Sequence, residues 1–349
     1  MSVMRVGSIE ARPGTHVFGY LSVAKSRSGL SPDIPVHLFC GAKPGPTFLV
    51  QGAIHGDEIF GTIAILNFVS RLDPRKLRGN VIAVPVVNRM GFELGKRVCP
   101  IDGKDISRLF PGNAEGSVSD QIAYTYFEEV IKKANVMLDL HAGGLTGYER
   151  YVLFTAEKDP ENHTELEKKC RRLVVAFGLD CAAFFPPGTF GGSGASRGKE
   201  AMDEAGVISF TVELGGGTGW FKNGEDNMRD EERGIWNIAK AMRMIDGDFE
   251  ADGPFCMIYK ADVVLWKPPY DGLYIRKKQF EHVKAGEVFA SILDPYTGKE
   301  LGHVYNTKDS TVVPGGQQWP TLGATSIVEL GTPDEIVDRR TADLHVSFE

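Results

Sequence analysis

The chain has 349 residues, of which 42% are hydrophobic and 24% charged, a composition ordinary for a globular protein with a large core. Its formal net charge of −7 argues against nucleic acid or an anionic membrane as a partner, so any anionic substrate must be met by local arginines. Five scattered cysteines without a C-x-x-C pair, and the lack of a signal-peptide core, predict a reduced cytoplasmic protein.

The predicted elements describe a mixed, largely parallel α/β sheet flanked by helices. Residues before about Gly45 alternate short apolar runs with Gly and Pro, which predicts antiparallel strands. From Thr47 onward strands alternate with helices, a pattern typical of sheets whose active groups gather where strands end. The predicted strands are Phe18–Val23, Ile34–Phe39, Thr47–Ala53, Asn80–Val87, Val136–Leu140, Ala182–Phe185 and Val207–Leu214, and the predicted helices are Glu58–Leu72, Ser119–Ala134, Thr164–Phe177 and Glu231–Ile245.

The composition changes after the last predicted helix. The stretch Asp246–Pro254 is acidic, contains Gly and ends in Pro, which suits a linker. No long helix follows, and the turns of the strand-rich segments Ala261–Ile275 and Val283–Leu293 resemble the barrel-sandwich module of biotinyl and lipoyl carriers. We therefore predict a catalytic domain at 1–250 and a C-terminal β-rich, barrel-sandwich-like domain at 255–349. The second domain is expected to be structural or oligomerising, in a homo-oligomer.

The segment Ile54-His55-Gly56-Asp57-Glu58, between a predicted strand and helix, carries the first chemical signal. An imidazole and a carboxylate three residues apart at a helix start can point into one space. With one distant histidine they make the two-His, one-Glu zinc set that leaves a fourth position for water. His141 is the candidate third ligand, because the strand period puts it on one face with Asp139. Asp139 could orient a ligand imidazole through its other ring nitrogen.

Four segments resemble, in matching order, the succinylglutamate desuccinylase and aspartoacylase family, whose members are metallo-deacylases on a zinc-carboxypeptidase-like fold. They are His55–Glu58, Asp139–His141, Asp102–Gly112 and Val212–Gly217. Four ordered segments are far more specific than a lone His-x-x-Glu. The resemblance implies one zinc ion per chain, with His55, Glu58 and His141 as ligands. It also implies Glu213 as the general base that takes a proton from water and returns it to the leaving nitrogen.

The resemblance places substrate recognition in the loop from Arg97 to Arg108. In the family one Arg polarises the scissile carbonyl, and an Asn-Arg pair binds the substrate carboxylate. By position Arg97 matches the first role and Arg108 the second, with Ser107 where Asn is usual and Asn88 just upstream. A hydroxyl reaches less far than a carboxamide and offers one proton, so carboxylate recognition is where this chain departs from the family. Bidentate Arg108 could suffice alone.

These residues together predict a zinc-dependent amide hydrolase that removes an acyl group from an N-acylated amino acid with a free carboxylate. Carboxypeptidase-like peptide cleavage, or deacetylation of an acetylated diamino acid, fits the same set. A non-enzymatic carrier or binding module would need a modified lysine such as Lys267 or Lys299. A serine hydrolase would need Ser193, whose loop nearly matches the G-x-S-x-G elbow. Without the resemblance, arginines on a polar loop are usually just solvated.

Overall fold

The computed structural model describes most of the chain. The described residues are 2–23, 31–143, 149–186, 205–216, 220–251, 253–259, 264–266, 272–276, 282–312, 328–331 and 335–348. Ser193 and Lys267, which two alternative predictions require, lie outside these ranges. No helix within them is both long and apolar enough to span a bilayer.

The described strands and helices alternate through the first two thirds of the chain, and strands predominate after that. The strands are β1 Met4–Val6, β2 Ile9–Ala11, β3 Thr15–Leu21, β4 Ile34–Cys40, β5 Lys43–Gly52, β6 Arg78–Val84, β7 Val136–His141, β8 Glu149–Thr155, β9 Cys181–Phe185, β10 Ile208–Gly215, β11 Pro254–Tyr259, β12 Val264–Trp266, β13 Leu273–Arg276, β14 His282–Val283, β15 Val288–Leu293, β16 Glu300–Tyr305, β17 Ser310–Val312, β18 Val328–Gly331 and β19 Glu335–Asp338. The α-helices are α1 Phe60–Arg71, α2 Arg89–Leu94, α3 Val118–Glu129, α4 Glu165–Phe177 and α5 Trp220–Ala241.

Within the described ranges one large sheet has the strand order β19-β11-β9-β8-β10-β7-β5-β6-β4-β3. Strands β6, β5, β7 and β10 form a continuous parallel block at its centre, and β9 pairs in parallel with both β8 and β11. The remaining pairings, including β3 with β4 at one edge, are antiparallel. The predicted mixed, largely parallel sheet is confirmed. The carboxyl ends of β5, β7 and β10 consequently meet at the same edge.

Alternate residues of the central strands pack on opposite faces of the sheet. Val50 and Leu138 belong to the core beneath α1, α4 and α5, whereas Leu49 and Met137 belong to the core beneath α3. Because both faces are covered, these strands are apolar almost throughout instead of alternating with polar residues. Residues two positions after Leu49 and Met137 also point to the α3 side, near the carboxyl edge.

Several boundaries differ from the prediction. Helix α1 begins at Phe60, so Glu58 precedes the helix, and α5 covers Trp220–Ala241 where Glu231–Ile245 was predicted. Residues 220–230 were not predicted as helix because they include Gly and two Asn, which are weak helix formers. Helix α5 packs against α1 and α4, and this tertiary packing outweighs the weak helix propensity. Arg243 has a φ of 56°, a left-handed conformation that ends the helical run. Strand β8 was missed because a strand covered on both faces lacks polar alternation.

The C-terminal segment is connected to the large sheet at both of its ends. Strand β11 pairs with β9, and β19 pairs with β11 at the sheet edge. Between them the described residues form two small antiparallel sheets, of order β12-β18-β17-β14 and β13-β15-β16. The division into domains at 1–250 and 255–349 stays a prediction. The pairings add that the chain leaves the large sheet after β11 and returns to it at β19.

Candidate metal centre and active site

His55, Glu58 and His141 converge at the carboxyl edge of the central parallel strands. His55 and Glu58 lie between β5 and α1, and His141 is the last residue of β7. Glu58 Oε1 is 2.9 Å from His55 Nδ1, Glu58 Oε2 is 2.9 Å from His141 Nδ1, and the two Nδ1 atoms are 3.1 Å apart. Donors around a tetrahedral zinc, with bonds of about 2.0–2.1 Å, stand about 3.3 Å apart. The three buried side chains therefore fit a metal ion.

The turn that carries His55 and Glu58 is held by close backbone contacts. A Cβ at Gly56 would overlap the backbone of Gly91 in α2, so only glycine fits this position. The Gly56 N–H donates to the Lys96 carbonyl at 3.0 Å, and the Glu58 N–H donates to the His55 carbonyl at 3.1 Å. The turn therefore brings the imidazole and the carboxylate into one space, as their spacing predicted.

Each histidine presents its second ring nitrogen to an aspartate. His141 Nε2 is 3.0 Å from Asp139 Oδ2, and His55 Nε2 is 3.3 Å from Asp105 Oδ1. An ionised carboxylate only accepts hydrogen bonds, so each Nε2 carries a hydrogen, and in the neutral ring Nδ1 keeps its lone pair. Both Nδ1 atoms face Glu58. Partners of this kind fix the tautomer and the ring orientation that a metal requires.

The charges of the cluster also suit a cation. Burial disfavours a charged Glu58, but His141 and His55 outweigh it and hold its pKa well below the ordinary value. Burial opposes the charge on Asp105 as well, and His55, Ser107 and Arg97 still lower its pKa. For His141, burial acts against the imidazolium, while Asp139 and Glu58 raise the pKa well above its ordinary value. A metal ion and a proton therefore compete for His141.

Glu213 lies next to His141 in the large sheet. It is in register with His141 in the parallel pair β10 and β7, so the two side chains project from the same face of the sheet. The following Gly215 has a φ of 96°, and a Cβ there would lie 2.9 Å from the Phe60 ring. Glycine thus lets the chain turn away at the end of β10, two residues after Glu213. This position is suitable for the general base that the sequence predicted.

Arg97 and Arg108 reach the same edge from the loop after α2. Arg97 Nη1 donates to Glu58 Oε1 at 3.1 Å, and its Nη2 is 3.5 Å from Asp105 Oδ2. Arg108 Nε donates to the same Asp105 oxygen at 3.3 Å. Side-chain exposures of 47% and 46% leave part of each guanidinium accessible to solvent. The structure therefore brings both predicted arginines to the cluster.

Ser107 and Asn88, the other predicted substrate contacts, make internal hydrogen bonds. The Ser107 hydroxyl donates its single proton to Asp105 Oδ1 at 2.7 Å, whereas a substrate carboxylate would need that proton. Asn88 is 1% exposed; its Oδ1 accepts the Gly91 N–H as the cap of α2, and its Nδ2 donates to the Arg97 carbonyl. Asn88 therefore supports the Arg97 loop. Contact of either residue with substrate stays a prediction.

Comparison with known proteins agrees with this geometry. The family model for the succinylglutamate desuccinylase/aspartoacylase catalytic domain matches residues 44–242, more than half of the chain. The chain belongs to this family. The recognition from four sequence segments is thus confirmed. The enzymes that give the succinylglutamate desuccinylase/aspartoacylase family its name are deacylases acting on amide bonds.

Individual relatives cover most of the chain. The N-alpha-acetyl-L-2,4-diaminobutyric acid deacetylase of Halomonas elongata is 29% identical over 272 residues, which are 77% of this chain and 73% of that protein. The crystal structure of a succinylglutamate desuccinylase/aspartoacylase from Rhodobacter sphaeroides has a TM-score of 0.78 at 26% identity, covering 95% of this chain and 99% of its own. The product-bound ectoine utilization protein EutE (DoeB) of Ruegeria pomeroyi, at 22% identity, shares the fold, with a TM-score of 0.76 and coverage of 92% and 96%.

Three residues around the site were not assigned a role from the sequence or from the succinylglutamate desuccinylase/aspartoacylase resemblance. Asp105 lies within one of the recognised segments, but its contact with His55 depends on how the loop folds. Gln51 is a polar residue in the apolar run Thr-Phe-Leu-Val-Gln, and that anomaly was a usable signal. Tyr126 occupies an ordinary buried position of α3, so nothing in the local pattern distinguishes it.

Proposed function

We propose that this chain is a zinc-dependent amidohydrolase that removes the acyl group from an N-acylated amino acid. The observation that carries the proposal is the convergence of His55, Glu58 and His141, with both Nδ1 atoms facing the same carboxylate. A zinc ion bound there, one per chain, supplies a Lewis acid for the carbonyl and lowers the pKa of water toward about 7.

Glu213 is the proposed general base and, later in the reaction, general acid. Its register with His141 supports this role: the carboxylate would accept a proton from the attacking water and return it to the leaving nitrogen. A C–O bond forms, the C–N bond of the amide breaks, and the products are a carboxylic acid and an amine. Because the amide nitrogen receives this proton, it leaves as a neutral amine and not as an unstable amide anion.

Arg97 is the proposed group that stabilises the developing negative charge. Its guanidinium donates to Glu58, and its side chain is 47% exposed. Turned toward a substrate carbonyl, it would donate to an oxygen that becomes negative in the transition state. We therefore assign Arg97 to the acceleration of the reaction more than to substrate affinity.

Arg108 is the proposed contact for the substrate carboxylate. Asp105 orients the guanidinium through Nε, and the side chain is 46% exposed at the same edge. A planar guanidinium recognises a carboxylate through paired hydrogen bonds, which a compact ammonium cannot do. In a chain of net charge −7, this local pair of arginines would attract an anionic substrate to the site.

An acetylated diamino acid is the second, narrower candidate. It is favoured by the similarity to the Halomonas elongata enzyme, whose name gives N-alpha-acetyl-L-2,4-diaminobutyric acid as the compound it deacetylates. The experiment for both candidates combines bound-metal analysis with a screen of N-acetyl, N-succinyl and N-formyl amino acids, including acetylated diaminobutyrate. We expect about one zinc per chain, and loss of both metal and activity in chelator. Activity that survives complete metal removal, with labelling by a fluorophosphonate, would instead support a serine hydrolase.

A further inference from the structure

A line of hydrogen bonds runs from helix α3 across two strands to the metal ligand His141. The Tyr126 hydroxyl is 2.7 Å from Gln51 Oε1, and Gln51 Nε2 is 2.9 Å from Asp139 Oδ1. The other oxygen of Asp139 is 3.0 Å from His141 Nε2. Gln51 and Asp139 are register partners on β5 and β7, and both face α3. The line therefore follows from strand register together with the position of one helix.

The chemistry of the groups fixes the direction of each bond. The Asp139 carboxylate can only accept, so Gln51 must turn its amide NH2 toward Asp139. The Gln51 carbonyl oxygen then faces the phenol, and Tyr126 must donate. A flipped Gln51 would place two acceptors against each other at Asp139. Asp139 thus sets the orientation of the Gln51 amide, and Tyr126 holds that amide in place by donating to its oxygen. Gln51 in turn occupies one oxygen of Asp139 and leaves the other for His141.

These polar groups lie where apolar side chains would be expected. Tyr126 is fully buried and Gln51 is 1% exposed, within the core that includes Leu49, Met137 and Ile122. Burying an amide and a hydroxyl is unfavourable unless both are hydrogen-bonded, and packing alone would be served as well by Phe and Leu. Burial, with a further contribution from the negative charge of Asp139, raises the pKa of Tyr126 well above its ordinary value. The phenol therefore stays protonated and remains a donor.

We propose that Tyr126 and Gln51 are positioning residues for His141, acting through Asp139 to hold its Nδ1 toward the metal. The inference rests on the proposed function in one respect, namely that His141 binds the metal ion. It adds that the affinity of the site depends on a phenol on a different element of the fold. Both side chains are buried and out of reach of a substrate from solution, so both are expected to act on metal binding and, through it, on turnover.

The test is zinc affinity measured by competition with a chromophoric chelator. Tyr126→Phe keeps the ring and removes only the donor, and Gln51→Met keeps the length and removes the amide. Partners of metal-bound histidines typically contribute about 10–100-fold in metal affinity, so we expect about tenfold weaker zinc binding in each variant. The double variant should bind zinc no more weakly than Gln51→Met alone, since the phenol acts only through Gln51.

Tyr259→Phe is the matched control. Tyr259 is 8% exposed on β11, four places from β7 in the sheet order. It should change thermal stability without changing zinc affinity. If Tyr126→Phe also lowers only the melting temperature and binds zinc as the wild type does, the hydroxyl is structural and the inference is wrong. Additive losses of affinity in the double variant would overturn it as well.

The same measurements separate this inference from the proposed function. If the wild type binds zinc and hydrolyses an N-acyl amino acid while Tyr126→Phe is unchanged in zinc affinity, only the positioning role fails. If the wild type binds no divalent metal, and His141→Ala behaves like it, the proposed function fails together with the inference. Weaker zinc binding in both single variants, absent from Tyr259→Phe, supports the positioning role whichever acyl group is removed.

Discussion

The two histidines of the proposed metal site are held in different ways. His55 faces Asp105 in a loop whose arginines, Arg97 and Arg108, are about half exposed. His141 faces Asp139 inside the sheet, backed by buried groups from β5 and α3. The His55 side of the site adjoins solvent and can rearrange when substrate binds. On the His141 side the polar groups are buried and hydrogen-bonded, so a rearrangement there would cost more free energy. We therefore expect changes on the His55 side to alter substrate handling and changes on the His141 side to alter metal affinity.

Removal of one of the three candidate ligands should have the largest effect on zinc binding and activity. This effect should be the same on the His55 side and on the His141 side. His55→Ala, Glu58→Ala and His141→Ala should each abolish tight zinc binding and activity, because two remaining donors do not make a catalytic zinc site. Metal content after gel filtration in buffer without added zinc measures this. The folded state should be checked by circular dichroism. Full metal content in His141→Ala would remove that residue from the site.

Glu213→Gln should separate metal binding from chemistry. The amide keeps the shape of the carboxylate but cannot accept a proton, so kcat should fall by about 100- to 10,000-fold while zinc content is retained. Steady-state kinetics on zinc-loaded protein measure kcat, with metal analysis of the same sample as the control. A near-normal kcat would contradict the assignment of Glu213 as the general base.

The arginines test the solvent-facing half. Arg97→Ala should lower kcat by about 100-fold, since removing one donor to a developing oxyanion has an effect of that order.

Arg108→Lys keeps the positive charge but loses the planar guanidinium that can form two parallel hydrogen bonds. Hydrogen bonds between charged groups contribute about 1.5–3 kcal/mol, so KM should rise about 10- to 100-fold for a substrate with a free carboxylate.

Methyl esters of the best substrate are the control for Arg108. They lack the anionic group, so Arg108→Lys and the wild type should hydrolyse them with similar KM. If the His55 side governs substrate handling and the His141 side governs metal affinity, neither arginine variant should bind zinc much more weakly than the wild type. If esters are hydrolysed as well as free acids by the wild type, carboxylate recognition by this loop is wrong.

Glu231 offers a contrast with the bonded residues behind His141. It is fully buried in α5, and neither carboxylate oxygen has a hydrogen-bond partner within the described ranges. Burial, with the negative charge of Asp230, raises the pKa of Glu231 well above its ordinary value. The proton is therefore retained in the folded state, and stability is lost as pH rises from the ordinary pKa of about 4.5 through the raised one.

Glu231→Gln removes this titration. The melting temperature should rise at pH 8 and stay nearly unchanged at pH 4, where the wild-type carboxyl is neutral in both the folded and the unfolded state. Tyr126→Phe should show the opposite sign at pH 8, because it removes a buried hydrogen bond that is satisfied. Equal melting temperatures for Glu231→Gln and the wild type at pH 8 would show that the carboxyl gains a partner in solution.

The sequence alone predicted the three candidate ligands and the edge of the sheet where they lie. The spacing of His55 and Glu58 in a strand-to-helix turn, and the period that puts Asp139 and His141 on one face, depend only on neighbouring residues. The family resemblance added Glu213, Arg97 and Arg108, and the structure brings these groups to the same edge. The four ordered segments were sufficient to recognise the family.

Tertiary structure decided which polar groups contact one another. Asn88 caps α2 and Ser107 donates to Asp105, contacts that the local sequence does not specify. Tyr126 is 75 residues from Gln51 in sequence, and Gln51 is 88 residues from Asp139. A local pattern encodes the face on which a side chain lies, but not the element that packs against that face. Hydrogen-bond partners between elements therefore follow from strand order and helix placement, which only the fold as a whole specifies.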